Sequence, residues 1–408
     1  MNSMNSVKNR TMNSMNSVRN TTMNSVNNVK NRTMNSVNNV KNRITDIFKN
    51  NVVLADYLLL FIIIITVIGL SLYINTQITK KKSNNTLMKK DLTYIENLVS
   101  NININDAQYQ YDLRDYYIMS SYNSCCNGDF ENSYVTTDAL KQVIQRGARV
   151  LDFEVYSLND KPVIAASSKD SFYQKGTYNS IPFGDAMDTI NGHAFASSTA
   201  PNFNDPLLLH FRIKTSRTEV FDQMAKILSS TFSDKRLPNR YNYEYGGDNL
   251  TAEPLKIFMG KVVIMVDSSN KLYKTSKLDE IINVTTGSLF IKQLRDYDVK
   301  FTPSVDELIN SNKKNMTISM PDLKVEPDNI NPGLHFQMGC QMVCMNFQTM
   351  DTNMIYYLEE FNSKGSAFMI KPESLRYIKV YAETPTKQDP KLSYAPKQLK
   401  KPYFNHII

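Results

Sequence analysis

The sequence predicts an α/β protein built on a parallel sheet, and three observations carry that expectation. From Tyr116 onward, short apolar runs of strand length alternate with longer segments of helical character. One of those helical segments, 217–230, is preceded by Thr215 and Ser216, which are typical caps. A hydrophobic content of 41% in 408 residues is enough to fill a sizeable core.

The first 44 residues are four copies of an 11-residue unit: MNSMNSVKNRT, MNSMNSVRNTT, MNSVNNVKNRT and MNSVNNVKNRI. Apolar residues at unit positions 1, 4 and 7 would stripe a helix of about 3.67 residues per turn, with basic residues at positions 8 and 10. Asn and Ser compete with the backbone for hydrogen bonds, so residues 1–44 are expected to be disordered. Residues 52–74, VVLADYLLLFIIIITVIGLSLYI, are long enough to cross a hydrocarbon core of about 30 Å as one helix, with Tyr57 and Tyr73 placed as interface anchors. Their length and the residues before them argue against a cleaved signal peptide.

The net charge of +8 gathers around this segment. Lys8, Arg10, Arg19, Lys30, Arg32, Lys41, Arg43 and Lys49 precede it with only Asp46 opposing them, and Lys80, Lys81, Lys82, Lys89 and Lys90 follow it. Within about fifteen residues the C-terminal flank is the more basic, which slightly favours a cytoplasmic folded domain on a single-pass protein. The basic flanks are candidate contacts for anionic lipid at about 1 kcal/mol per near-surface cation, although solubility and topology signals read as well. Residues 76–105, rich in Lys and Asn, are expected to be a polar stalk.

The folded domain is expected at 106–380, with a tail at 381–408. Strands are expected at 116–120, 150–156, 163–166, 207–213, 262–266, 316–320 and 340–347, with one more within 288–301. Helices are expected at 137–146, 184–193 and 217–230. Cys125, Cys126, Cys340 and Cys344 make neither a disulfide framework nor a zinc pattern, so a reducing compartment and small core residues are expected. Asn84, Asn249, Asn283 and Asn315 head sequons that matter only if this domain faces outward.

Two stretches carry a resemblance. Residues 331–349 read NPGLHFQMGCQMVCMNFQT, followed by Phe368-Met369-Ile370-Lys371-Pro372, and upstream lies Tyr116-Tyr117-Ile118-Met119-Ser120-Ser121-Tyr122-Asn123. Together they resemble the Y and X regions of phosphoinositide-specific phospholipase C, across about 112–377. The resemblance implies a TIM-type (β/α)8 barrel with its chemistry at the C-terminal ends of the strands. No pleckstrin-like, EF-hand or C2 segment is recognisable, and the sequence between the X and Y parts is short and lacks an acidic linker. A lone barrel on a membrane anchor is the expected architecture. The degenerate barrel on one span also resembles membrane proteins of large DNA viruses, which implies a virion or host membrane.

In this family a sugar hydroxyl attacks its own phosphodiester, one histidine supports the developing phosphorane, a second assists the leaving diacylglycerol, and calcium neutralises the charge between them. The resemblance puts the first histidine at Tyr122 and the second at Ala166, after Pro162-Val163-Ile164-Ala165. Of the calcium ligands Asn123 is kept, and the acidic pair appears in swapped order as Asp152 and Glu154, on one face of a strand. The last ligand, a family glutamate, falls at Arg212. A guanidinium there is expected to repel a divalent ion and to pair with Asp152 and Glu154. The family's substrate-binding positions fall at Met265, Asp267, Ile318 and Met320, where lysines, an arginine and a stacking tyrosine are lost.

The expectation is therefore a barrel that has lost calcium and catalysis and works by binding or structure, with an unnamed protein partner. The alternative keeps a phosphoric diester hydrolase with a metal-free site, in which Arg212 holds the phosphate and Asp152, Glu154 or His210 is the base. His193, His335 and His406 are read as structural or exposed. A third reading gives the work to the basic repeats, on anionic lipid or nucleic acid, with nucleic acid the less expected partner.

Overall fold

The computed structural model describes residues 2–50, 52–378, 387, 389, 392 and 394–408, in two units, Met1–Lys80 and Lys81–Ile408. In the first unit the repeats form one helix, α1 (Asn2–Asn50), where disorder was expected. The physical reason lies in the repeat itself. It contains no Gly or Pro to break a helix, and eleven residues close on three turns, so equivalent side chains stack along one line. Thr21, Thr33 and Thr45 donate to the carbonyls of Ser17, Val29 and Lys41, four residues back, which satisfies hydroxyls within the helix. The second helix, α2 (Val52–Tyr94), carries the apolar run. Within its segment Asp56–Tyr94 an 18-residue apolar window has a mean hydropathy of 2.7 and is unburied, so by length and composition the helix can cross a membrane.

The stalk expected at 76–105 is not a free linker. Residues from Lys81 belong to the second unit, where Met88, Leu92, Val99 and Ile102 are buried in the core. Asn85 accepts from Asn127 and Thr136, and the Ile102 amide donates to Asp205. The polar composition hid four apolar residues whose spacing fits docking on the domain.

The second unit holds the strands β1 (Tyr116–Ser121), β2 (Val150–Leu158), β3 (Lys161–Ala165), β4 (Ile181–Pro182), β5 (Leu207–Ile213), β6 (Val262–Asp267), β7 (Val284–Thr286), β8 (Ile291–Arg295), β9 (Met316–Met320), β10 (Met342–Met345) and β11 (Phe368–Ile370). Eight of them pair in the order β7-β6-β5-β2-β1-β10-β9-β8, all parallel, and make a nearly closed (β/α)8-type barrel. The seam lies between β7 and β8, where Thr286 donates to Gln293 Oε1 across 2.6 Å. Helices α3 (Thr137–Arg146), α4 (Phe183–Ala194) and α5 (Thr218–Thr231) pack outside the ring through apolar faces.

Two expectations about elements need correction. The strand expected at 163–166 is present but lies outside the ring. It belongs to β3, which folds back antiparallel on β2 through Asn159 and Asp160, both at positive φ, a left-handed turn that suits a two-residue hairpin. The eighth ring strand is instead β7, whose three residues are too few to show alternation. In addition, neither Thr215 nor Ser216 caps α5. Thr215 accepts from the Arg217 amide in a turn before the helix, and Arg217 occupies the cap position.

All four cysteines are free and buried, and burial pushes Cys340 up to about 12. The Asn283 side chain is buried between the Ile264 amide and the Tyr241 carbonyl, so that sequon is closed in the folded domain. Of the tail at 381–408, residues 381–386, 388, 390, 391 and 393 lie outside the described residues. Gln398–Lys401 and Phe404–Ile407 form a two-stranded antiparallel hairpin.

Candidate active site

In a parallel barrel the side chains of neighbouring strands stack in register, and here β2 and β5 run side by side with Asp152 opposite His210 and Glu154 opposite Arg212. The two-residue period turns all four onto one face. Arg212 is the hub. Its Nε donates to Asp152 Oδ1 at 3.0 Å and its Nη2 to Asp152 Oδ2 at 2.7 Å, a two-pronged pairing. Its Nη1 donates to Glu154 Oε1 at 2.6 Å, and Nη2 also reaches Asn123 Oδ1 at 2.8 Å. Asn123 follows β1 at φ 41°, a left-handed conformation that Asn tolerates, and its own amide donates to Asp152 Oδ2 at 3.0 Å.

The remaining valences of the cluster are also filled. Tyr156 donates to Glu154 Oε2 at 2.7 Å, and His210 Nδ1 lies 2.7 Å from Asp152 Oδ1. His210 Nε2 lies 2.9 Å from Thr286 Oγ1. Thr286 directs its one proton to Gln293 Oε1, and Gln293 Nε2 donates to Asp267 at 3.0 Å, so the Thr286 oxygen accepts from His210. Arg212 and His210 face two carboxylates in a space where Asp152, Glu154, His210 and Arg212 are all at most 1% exposed.

The electrostatics agree with this picture. Burial acts to raise the Asp152 carboxyl, yet the Arg212 guanidinium and the His210 contact hold it well below the usual carboxylate range. Burial works against the charge on Arg212 as well, and the Asp152, Tyr122 and Glu154 side chains overcome it and push Arg212 well above its ordinary value. Asp267 is likewise held low, against burial, by bonds from the Ser269 amide and Gln293.

Tyr122 caps the hub. Its ring lies 4.6 Å from the Arg212 guanidinium carbon, its hydroxyl accepts from Arg295 at 3.1 Å, and Phe130 packs edge-on at 5.6 Å. Burial pushes the Tyr122 phenol up. Ala166 follows β3 and is fully buried, and its carbonyl accepts from the Gly176 and Thr177 amides. That loop packs so closely that a Cβ on Gly176 would meet the Phe130 carbonyl at 2.4 Å. Neither Tyr122 nor Ala166 presents an imidazole. Met265, Ile318 and Met320 are buried apolar residues of β6 and β9, and Asp267 joins the cluster only through Gln293 and Thr286.

Sequence reasoning missed Thr286, Gln293, Arg295 and Tyr156. Thr286 sits on the three-residue strand, and Gln293 and Arg295 fall in the strand that was located only to within 288–301. A cavity of about 180 Å³ opens at the same end of the barrel, lined by Phe130, Asp296, Lys300, Pro321, Lys324 and Asn346 among others, but no cluster residue lines it.

A divalent cation does not fit this donor set. The oxygens of Asn123, Asp152 and Glu154 that would face an ion all accept from Arg212, whose guanidinium fills the space between them. Among the described residues no group of three or more His, Cys, Asp or Glu is arranged to hold a metal. The buried side-chain nitrogen of Asn123 has no partner, and it is a donor, which offers nothing to a cation.

A barrel of this topology with a site at the strand ends defines a class, and comparison with known proteins supplies the family. The chain matches the phosphatidylinositol-specific phospholipase C X domain over residues 109–268 and the Y domain over residues 268–374, and it belongs to that family. A 1-phosphatidylinositol 4,5-bisphosphate phosphodiesterase beta of Caenorhabditis elegans is 30% identical over 114 residues, 28% of this chain and 7% of that protein. The human beta-2 enzyme of the same name is 34% identical over 86 residues, 21% of this chain and 7% of that protein. The matched stretch is thus a small part of either relative. Among solved structures, PLC21 of L. pealei superposes with a TM-score of 0.54 at 19% identity, over 66% of this chain and 38% of that one, which shows a shared fold.

Proposed function

We propose that this chain is a membrane-anchored phospholipase C-like barrel that has lost catalysis and acts as a binding or structural protein. One observation carries the reading: Arg212 engages Asn123, Asp152 and Glu154 together, so the residues that correspond to the family's calcium ligands are consumed by an internal cation. The family positions of the two histidines hold Tyr122, whose buried phenol is pushed above its ordinary value, and Ala166, which has no titratable group. A metal-free hydrolase built on Arg212 and His210 has less support, because both side chains are buried and His210 is bonded at both nitrogens. The barrel then serves as a recognition surface for a protein partner, held at a membrane by 52–74.

The test is hydrolysis of phosphatidylinositol and its 4,5-bisphosphate by the full chain in mixed micelles, with calcium or chelator added. No turnover from folded protein under any condition is expected. Turnover abolished by chelator would mean a surviving metal site, and turnover indifferent to chelator would support the metal-free enzyme.

A further inference from the structure

The helix α1 distributes its residues in a way that composition alone does not reveal. At three turns per eleven residues each residue advances by about 98°. Unit positions 1, 4 and 7, Met or Val throughout, then fall within one arc, and position 8, always Lys or Arg, falls inside that same arc. Position 10, Arg in three of the four units, lies about 65° beyond that arc, next to the polar face. Positions 2, 5, 6 and 9, Asn or Ser in every unit, make the opposite face without a single charge. In the third and fourth units Val26, Val29, Val37 and Val40 are each more than half exposed, with Lys30 and Lys41 between them. Apolar groups and the position-8 cations therefore share one side, and neutral polar groups occupy the other, with the position-10 arginines at its flank.

We infer that this face of α1 lies on an anionic lipid surface, with the Met and Val side chains in the headgroup boundary and the Lys and Arg heads on lipid phosphates and carboxylates. Charge complementarity selects the occupant. A second copy packed stripe to stripe would bring Lys30 and Lys41 against their own kind, and the repeats contain no acidic residue to pair them. A nucleic acid would match the cations and leave the valines uncovered. Anionic lipid matches both, because long basic side chains bury their stems in the apolar layer and keep their heads at its surface. The surface is also at hand, since the apolar run begins at Val52 and the last repeat ends at Ile44. The inference rests on reading that run as a span, and it does not depend on whether the barrel is active.

The test uses the full chain in vesicles of phosphatidylcholine, alone or mixed with phosphatidylserine. A polarity-sensitive dye is attached through Val37→Cys or, on the opposite face, Asn39→Cys, the four native thiols being buried. With phosphatidylserine present, the dye at 37 is expected to be blue-shifted and shielded from an aqueous quencher while the dye at 39 is not. The difference should vanish in phosphatidylcholine alone and at high salt. Replacing Lys30, Arg32, Lys41 and Arg43 by Gln should weaken the phosphatidylserine dependence by at least about tenfold. Equal quenching at both positions would overturn the inference. So would shielding that ignores lipid charge and fades as protein is diluted, the sign of self-association, or shielding that appears only with added DNA. Carbonate extraction of the same vesicles reads the span separately: release of the chain with lipid-dependent shielding retained would remove the span and keep the lipid contact.

Discussion

At the scale of the residue, Arg212 holds two carboxylates and an amide oxygen that would otherwise be buried without a counter-charge. Breaking such a pair by removing one partner leaves an uncompensated charge in the interior, at a cost of about 3–5 kcal/mol. Arg212→Ala should therefore lower stability by that amount in denaturant unfolding. Arg212→Lys should rescue only part of it, because an ammonium cannot make the two-pronged contact with Asp152. The Asp152 carboxyl lies below its unfolded value of about 3.9, so its contribution is present above that pH and is lost as pH falls through the lower folded value. Lys371 gives a slope of the same sign at higher pH. Burial pushes it down to about 7, against an unfolded value of about 10.4, and its Nζ donates to the Arg114 and Asn312 carbonyls. Between those values the unfolded chain binds more protons, so stability should rise with pH from about 7 to about 10. Thermal unfolding across that range checks it, and Lys371→Met should flatten the rise.

At the scale of the element, long amphipathic segments were legible and short or composite ones were not. The helix expected at 137–146 coincides with α3, whose Thr136 cap accepts from the Ala139 amide and whose end is set by Gly147 at φ 102°. The strand β7 escaped notice because alternation needs more than three residues. The Asn159-Asp160 pair was a readable hairpin signal that the apolar run at 163–166 overshadowed. The repeats misled through composition, since Asn and Ser are poor helix formers singly while the 11-residue period supports a helix collectively. The stalk misled in the same way, and docking of its apolar residues is directly testable. Leu92→Ala should cost about 2–5 kcal/mol if that side chain is part of the core, and close to nothing if the segment is a free linker.

At the scale of the whole molecule, the family was legible because two separated stretches of sequence return to one barrel, where β1 lies directly against β10 and β11. The positions of the candidate site were readable from the same alignment of motifs. Its closure was not, because it depends on Thr286 and Gln293 meeting across the seam between β7 and β8, a contact that exists only in three dimensions. The central claim is that the Arg212 guanidinium stands where the family places a divalent ion. Calorimetric titration of calcium into the folded full-length chain tests it most directly. No binding heat at micromolar to millimolar calcium is the predicted result, and stoichiometric binding at micromolar strength would contradict it.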